Sequence, residues 1–487
     1  MIIFVNYFYI RLLLMRSLIW LLCFLVIGHD VADAQSVPWY ALNGSDVRAA
    51  RSLNPAFLQN PHFESALGIG SISMDYNNNL GYFIDKSFMS LPIHFSEISV
   101  PELQFRKLGF NPALGIDREL RGYEMKLNET DLARMYFSTS LSIAGPSYFR
   151  RLKSGMIVGI TTGSSFMGGL KNYPAHMTYG PYRRYSSGDR MPVPEFSGTA
   201  DGRMYVGVNI AREFALSSGT RLGVGANIRY LGGLMHFELS NDEAIREYFF
   251  RERDRVEVSN MRLDYKYSHS NANDLHAPWI RGNGMGGDLG IYFESKLKSQ
   301  QFSSIRGGIA LNNLGFVRYS QGLRSGSFNI YEPTEISFGK FDTLIGFDQL
   351  VDSFEYIVLK NPVNEHLQNR GGTIYTLPSL NMAFSFGLRE YGKIHFFASS
   401  PLTANNPEAF QIGVIPELTF NLVNIITPFS YNRWTGFRLG AGLNFGFLTF
   451  GTDDVRTFFK RERLQSGSFY CAVHINYFSK SKNGKKK

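Results

Sequence analysis

The feature that most constrains this chain is a two-residue alternation of side chains that recurs along most of its length. The alternation is clear at 204–211, 222–230, 288–294, 380–388 and 467–478. A β-strand has a side-chain period of two, so each segment predicts a strand with one apolar face and one mixed or polar face. An apolar face packs against a protein core or against lipid. Periodicity alone does not separate a soluble β-sandwich from a membrane barrel.

Strand length and composition favour lipid. Residues 437–449 alternate over thirteen positions, more than the roughly 9–11 residues that a tilted strand needs to cross a bilayer. The chain is 15% aromatic and contains 48 glycines, and both residue types are typical of membrane barrels. The alternating segments number about fourteen. They predict an all-β fold, a transmembrane antiparallel β-barrel, whose closure leaves no strand edge unpaired.

The first 34 residues predict a signal peptide. Leu18–Ile27 is a short apolar core, and Ala32-Asp33-Ala34 has the small-x-small form of a cleavage site, so the mature chain would begin at Gln35. An uncleaved N-terminal anchor is the alternative, and Met15 is an alternative start. Export together with long strands predicts the cell outer membrane as the location, with the lipid bilayer and lipopolysaccharide as surroundings.

Four regions follow from these patterns: 1–34 signal peptide, 35–61 hatch, 62–478 barrel and 479–487 basic periplasmic tail. The hatch region is too apolar for a free tail, which favours a segment folded back into the lumen. The tail holds five of the lysines behind the net charge of +9. It lacks interleaved aromatic residues, which favours a solvated tail over nucleic-acid binding.

Several interruptions predict insertions outside the membrane. The long connections 174–194 and 339–371 are expected on the outer side. Ser240-Asn-Asp-Glu243 has the spacing of a capping box and predicts a short helix over the residues that follow. A second short helix is expected at 129–136.

The polar faces of the predicted strands carry the residues that could act in the lumen. The predicted lumen network consists of Arg229, Asp288, Glu294, Arg438, Asn444 and His474. No zinc-protease or serine-hydrolase motif is present, and no histidine pair has metal-ligand spacing. We therefore expect no catalytic residues, no metal and no cofactor. A hydrolase site assembled from distant strands is the alternative. Asp453-Asp454 is expected in a solvated loop rather than a calcium site.

Four short motifs carry a family resemblance: Asn54-Pro55-Ala56, Ile228–Gly233, Gly282–Gly290 and Leu311–Phe316. Together they resemble the long-chain fatty-acid transporter superfamily of outer-membrane barrels. The likeness is greatest to an uncharacterised Bacteroidota branch that also includes the type IX secretion shuttle barrel. The resemblance implies a 14-stranded barrel with an N-terminal hatch in its lumen, and Asn54, Pro55 and Ala56 as the hatch motif.

The same resemblance implies a non-enzymatic barrel that moves or holds a hydrophobic small molecule. The alternative is an accessory barrel that binds a secreted or surface protein, as in type IX secretion.

Overall fold

The computed structural model describes most of the chain between residues 41 and 478. The described residues are 41–42, 46–57, 63–79, 81–83, 88, 98–99, 123–127, 135–173, 190–217, 219–241, 245–252, 255–268, 280–297, 299, 301–320, 322–337, 356, 371–388, 392–403, 405–420, 423–459 and 463–478. The predicted signal peptide and basic tail lie outside them.

Nearly all of the described chain is β-structure. The strands are β1 Phe63–Asn78, β2 Gly81–Phe83, β3 Ile98–Ser99, β4 Tyr123–Leu127, β5 Met135–Ala144, β6 Ser147–Arg151, β7 Met156–Tyr173, β8 Arg190–Val193, β9 Phe196–Ser217, β10 Thr220–Asn241, β11 Ile245–Glu252, β12 Arg255–Ser259, β13 Met261–Ser268, β14 Gly282–Lys296, β15 Phe302–Tyr319, β16 Leu323–Ile330, β17 Thr334–Ser337, β18 Gly372–Tyr375, β19 Ser379–Leu388, β20 Gly392–Pro401, β21 Gln411–Phe420, β22 Val423–Ile426, β23 Phe429–Asn432, β24 Gly436–Leu439, β25 Ala441–Asn444, β26 Leu448–Thr452 and β27 Ser466–Phe478. A helix, α1, spans Val47–Leu53, and a 3₁₀ helix spans Val455–Phe458.

The main sheet closes into an antiparallel barrel of fourteen wall strands. In wall order these are β1, β5 with β6, β7, β9, β10, β14, β15, β18 with β19, β20, β21, β22 with β23, β24 with β25, β26 and β27. The first and last strands pair from Phe63 opposite Phe478 to Asn77 opposite Ser466, which closes the ring. The predicted all-β barrel of about fourteen strands is confirmed.

Side chains alternate between the two faces of the wall. Outward-facing Val206, Ile228 and Leu289 are 53%, 55% and 54% exposed, whereas inward-facing Asn209 and Asp288 are 1% and 2% exposed. A water-soluble barrel has a polar outer face and an apolar interior. The apolar outer face and polar lumen of this barrel are the reverse, and they match a barrel surrounded by lipid.

The two ends of the barrel differ. The connections from β6 to β7, β9 to β10, β19 to β20 and β21 to β22 are short and join strand ends at the end where the wall begins and finishes, and longer connections lie at the other. The longer connections contain a four-stranded sheet in the order β17, β12, β11, β8 and a three-stranded sheet in the order β2, β4, β3. Strands β13 and β16 extend the wall beside β10.

The helix expected after the capping box is wrong. Residues 245–252 form β11, which pairs with β12 on one side and β8 on the other. Pairing gives backbone groups of this segment partners on two other strands, and Ile245, Tyr248 and Phe249 suit a pleated surface, so tertiary context overrides the local cap signal. For the helix expected at 129–136, Met135 and Tyr136 lie in β5 and the rest lies outside the described residues.

The single long strand expected over 437–449 is also wrong. The segment forms β24 and β25, then turns at 445–447 into β26. The Asn444 side chain accepts from the Gly446 backbone (2.9 Å), and Gly446 has φ of +82°, so an Asx turn reverses the chain. Thr449 therefore faces the lumen and is buried.

Asp453 and Asp454 are buried rather than solvated, so that expectation is wrong. Asp454 accepts from the backbone of Arg456 (3.0 Å) and from its guanidinium (2.7 Å). The Asp454 carboxylate caps the 3₁₀ helix that follows β26. This capping role explains why Asp454 is buried.

Candidate functional site: a hatch in the lumen and the cavities beside it

Helix α1 lies inside the barrel. Asp46 caps it by accepting from the backbones of Arg48 (3.0 Å) and Ala49 (3.2 Å), and its carboxylate also pairs with the Arg48 guanidinium (2.8 Å). The helix has seven residues, too short to persist alone in water. Its stability therefore comes from packing against the barrel wall. We use the name hatch for residues 41–42 and 46–57.

Hatch side chains pack against the wall in three directions. Val47 forms a cluster with residues of β1, β6 and β7. Leu53 and Ala49, with Ala41 and Leu42, form another with residues of β20, β21, β22 and β27. Phe57 stacks on Tyr292 of β14, with ring centroids 4.7 Å apart. Because these strands surround the lumen, the hatch fills it at this level.

The Asn-Pro-Ala motif ends the helix and reaches the wall. Asn54 Nδ2 donates to the backbone carbonyls of Ile291 (3.0 Å) and Ile309 (3.3 Å), and Asn54 Oδ1 accepts from the backbone of Ala56 (2.9 Å). An asparagine at this point therefore joins the hatch to β14 and β15 while it also turns the hatch backbone.

Three glycines form the seat of this motif. Gly225 of β10, Gly290 of β14 and Gly308 of β15 face it, and a Cβ on any of them would overlap the motif. At Gly225 the overlap would be with the carbonyl of Pro55, and at the other two with the side-chain amide of Asn54. We refer to these three residues as the glycine seat. Glycine is required there because it permits close backbone approach.

Two long side chains hold the hatch backbone. Arg51, 2% exposed, donates to the carbonyls of Pro55 (2.7 Å) and Phe57 (3.2 Å) and to Asn209 of β9 (3.0 Å). Burial lowers the pKa of Arg51 to about 10, so it stays charged at neutral pH. Asn312 of β15 donates to the last helix carbonyls, those of Ser52 and Leu53 (both 2.9 Å), which would otherwise lack partners.

Asn312 begins a bulge in β15. Asn313 and Gly315 have φ of +59° and +153°. Asp288 accepts from the Asn313 backbone (2.8 Å), and Thr376 donates to the carbonyls of Asn313 and Gly315. The bulge, residues 312–315, thus lies between the hatch and the lumen beyond it.

Two cavities lie on the long-connection side of the hatch. The lower cavity, about 30 Å³, is bordered by the bulge. The upper cavity, about 240 Å³, lies farther from the hatch. Arg203 and Thr376 line both cavities, which therefore adjoin. The residues that line the upper cavity are Thr199, Asp201, Arg203, His236, Glu238, Lys266, Thr373, Ile374, Tyr375, Thr376, Leu377, Thr403 and Asn405.

Charged groups of the upper cavity are arranged around two carboxylates. Asp201 lies 2.6 Å from Arg203 Nε and 3.2 Å from His236 Nδ1. Glu238 accepts from the Asn405 amide and lies 3.7 Å from His236 Nε2 and 3.9 Å from Lys266 Nζ. Each carboxylate therefore faces at least one basic group.

The predicted lumen residues lie in the lumen wall but do not form one network. Arg229 and Asp288 pair beside the bulge (2.5 Å), and Arg229 also donates to Asn313 (3.0 Å). Arg438 pairs with Asp75 (3.2 Å) elsewhere on the wall. Asn444 donates to Thr449 across its own hairpin. His474 of β27 is buried, and its backbone donates to Phe447 (2.9 Å).

Glu294 belongs to a different group near the short-turn end. Arg151 pairs with Glu213 (2.5 Å), Arg221 approaches Glu213 (3.7 Å) and pairs with Glu294 (2.6 Å), and Arg306 donates to Glu294 (3.1 Å). We call these five residues the charge belt; it crosses β6, β9, β10, β14 and β15. Sequence reasoning missed four of them, although each lies a few residues from a short turn.

A hydrogen-bonded series continues around the same end of the wall. Ser385 lies 2.7 Å from His395 Nδ1, and His395 Nε2 lies 2.9 Å from Glu417. Lys393 approaches Glu417 (3.6 Å). All of Ser385, His395 and Glu417 are buried in the wall, at 4%, 1% and 1% exposure. Among the described residues, no cluster of three or more His, Cys, Asp or Glu could hold a metal ion.

In the part of the chain that the structure describes, no helix has the length and apolarity to cross a membrane. No curated protein sequence matches the chain. Among solved structures, the chain is similar to the Pseudomonas putida toluene transporter TodX, at 10% identity and a TM-score of 0.40, over 92% of this chain and 100% of that one. It is also similar to a Pseudomonas aeruginosa FadL homologue, at 9% identity and a TM-score of 0.38, over 88% and 94% of the two chains.

A third similar structure is the translocator domain of the autotransporter NalP from Neisseria meningitidis, at 6% identity and a TM-score of 0.33, over 90% and 97% of the two chains. Scores at this level carry no argument about function. The sequence itself matches one family model over residues 55–453, which begins within the hatch motif and covers almost the whole wall. The chain therefore belongs to the family of unknown function DUF5723.

Proposed function

We propose that this chain is an outer-membrane transport barrel in which the hatch closes the lumen and moves to let a small molecule pass. The observation that carries the proposal is the hatch itself. It contacts the wall in three directions, and hydrogen bonds from Asn54 and Asn312 attach it to β14 and β15. Both attachments are hydrogen bonds from a side-chain amide to backbone carbonyl groups, so the hatch can be released without breaking the wall ladder.

The location in the outer membrane is part of the proposal. The apolar outer face is the kind of surface that lipid stabilises and water does not. The short turns would then face the periplasm, and the long connections with their four-stranded sheet would face the exterior.

The route follows from the order of the cavities. A molecule captured at the long-connection end would reach the upper cavity first and the lower cavity next. Thr376 lines both cavities and donates to the bulge, and Asn312 at the start of the bulge holds the end of helix α1. A ligand that displaces the bulge would therefore loosen the hatch.

The cargo class is a separate question from the route. The family resemblance implies a hydrophobic molecule, whereas most of the residues around the upper cavity are polar or charged. Binding of a secreted or surface protein remains the alternative prediction, for which we propose the four-stranded sheet beyond the wall as the binding surface.

The proposed function is non-enzymatic. The series formed by Ser385, His395 and Glu417 has the residue types of a hydrolase triad, but all three are buried in the wall and continue the line of the charge belt. We assign them to the stability of the wall at this end.

Deletion of residues 41–57 tests the proposal. We expect the intact chain to give little conductance in a planar bilayer and the deletion variant to give a steady open pore, because the segment that fills the lumen is gone. Heat-modifiable migration on gels would establish that both barrels are folded. A folded deletion variant that conducts no more than the intact chain would contradict the proposal.

A further inference from the structure

We infer that the upper cavity binds a small hydrophilic solute that carries a carboxylate or phosphate group. The inference rests on the proposed function, because it names the class of molecule that the barrel would admit. Sites for hydrophobic ligands are lined mainly by apolar and aromatic side chains. Here ten of the thirteen lining residues are charged residues, histidine, threonine or asparagine, and Ile374, Tyr375 and Leu377 are the remainder.

Arg203 is the group that points to an oxyanion. Arg203 is 9% exposed and lines both cavities. Arginine has five N–H donors. Arg203 approaches Asp201 through Nε, and among the described residues no hydrogen bond engages its two terminal nitrogens. These nitrogens form the planar fork that binds carboxylate and phosphate oxygens in pairs.

The charge around Arg203 permits an anion to bind. The negative charges of Asp201 and Glu238 are balanced by the positive charges of Arg203 and Lys266. The ring of His236 lies between the two carboxylates, 3.2 Å from Asp201 and 3.7 Å from Glu238. An incoming anion therefore meets no unpaired negative charge. The Nε2 atom of His236 and the hydroxyl of Thr403 are buried without a hydrogen-bond partner in the described structure, so polar groups remain for the ligand.

The threonines indicate the rest of the ligand. Thr199, Thr376 and Thr403 line one cavity of about 240 Å³, and the Thr403 hydroxyl is buried there without a hydrogen-bond partner. Hydroxyl groups both donate and accept hydrogen bonds, which suits a hydroxylated body such as a sugar acid or a sugar phosphate. An acyl chain in this volume would leave the Thr403 hydroxyl without a partner.

Calorimetric titration of the full chain in nanodiscs tests the inference. The probes are D-glucuronate, D-glucose 6-phosphate, neutral D-glucose and decanoate. We expect the first two to bind and the last two to bind at least tenfold more weakly. Arg203→Gln should weaken binding of the two oxyanions by about tenfold or more, since it removes charge-assisted hydrogen bonds. Arg203→Lys should fall between, because lysine keeps the charge but loses the fork.

Arg318→Gln is the matched control, since Arg318 lies exposed on the outer side of β15. The affinities of this variant for the four probes should equal those of the unaltered chain.

Three results would overturn the inference. They are binding of decanoate as tightly as glucuronate, oxyanion binding that Arg203→Gln leaves unchanged, and no binding of either oxyanion. These outcomes are independent of the hatch deletion: an open pore in the deletion variant would sustain the proposed function even if the ligand class were wrong.

Discussion

At the residue scale, the glycine seat decides where the hatch lies. The motif Asn54-Pro55-Ala56 could be picked out from the sequence, but its seat could not. Gly225, Gly290 and Gly308 come from three strands, and only the register between these strands places them side by side. Gly290 ends the motif Gly282–Gly290, but nothing in the sequence indicates that Gly225 and Gly308 meet the hatch beside it.

We expect Gly225→Val to displace the hatch. A Cβ at this position would overlap the carbonyl of Pro55, a backbone group that cannot rotate away as a side chain can. Limited proteolysis should therefore cleave within 46–57 several times faster than in the unaltered chain. Gly168→Ala is the matched control, because its Cβ would meet neighbours at an ordinary 3.6 Å. Equal protection of the hatch in the two variants would argue against the glycine seat.

At the scale of elements, long-range pairing outweighs local signals. The capping box at 240–243 predicted a helix, but the residues after it form a strand that pairs with two other strands. The alternation at 437–449 predicted one long strand, but Asn444 and Gly446 form a turn within it. Both errors have one physical reason: a periodic pattern fixes which face a residue occupies, but the partner strands fix where each element stops.

The charge belt gives a prediction at this scale. Glu294→Ala would remove the nearest carboxylate of Arg221 and the acid partner of Arg306 within the belt. We expect the free energy of unfolding to fall by about 3 kcal/mol, in line with breaking a buried ion pair by removing one partner. Urea titration in lipid bilayers, followed by tryptophan fluorescence, would measure the change.

Arg262→Ala is the comparison for that measurement. Arg262 pairs with Asp264 at 3.3 Å, but its side chain is 53% exposed, and exposed pairs contribute at most about 1 kcal/mol. If the two substitutions changed stability equally, the belt would have no special role in holding β10, β14 and β15 together.

At the scale of the whole molecule, the period of two was enough to give the fold class, because an antiparallel wall repeats one rule at every strand. The lumen network was harder to foresee. The alternation identified the polar face of residues such as Arg229 and Arg438, but these two lie in separate groups. Which polar residues meet across the lumen depends on strand shear and on the hatch, and neither is visible in the pattern.

The apolar outer face yields a prediction for the entire barrel. We expect Ile228→Arg, on the outer face of β10, to destabilise the barrel by roughly 2–4 kcal/mol, the cost of a basic residue at the bilayer midplane. Tyr331→Arg is the control, since Tyr331 follows β16 at the long-connection end and is 78% exposed. Refolding yields into lipid vesicles would measure both, and equal yields would speak against a bilayer around this face.

The hatch precedes β1 in the chain, and its contacts set the timing of its folding. These contacts come from strands as late in the chain as β27, and a seven-residue helix is not stable alone in water. The hatch therefore becomes ordered only after β1 and β27 have paired. We expect each newly formed barrel to pass through a stage with a water-filled lumen before the hatch closes it.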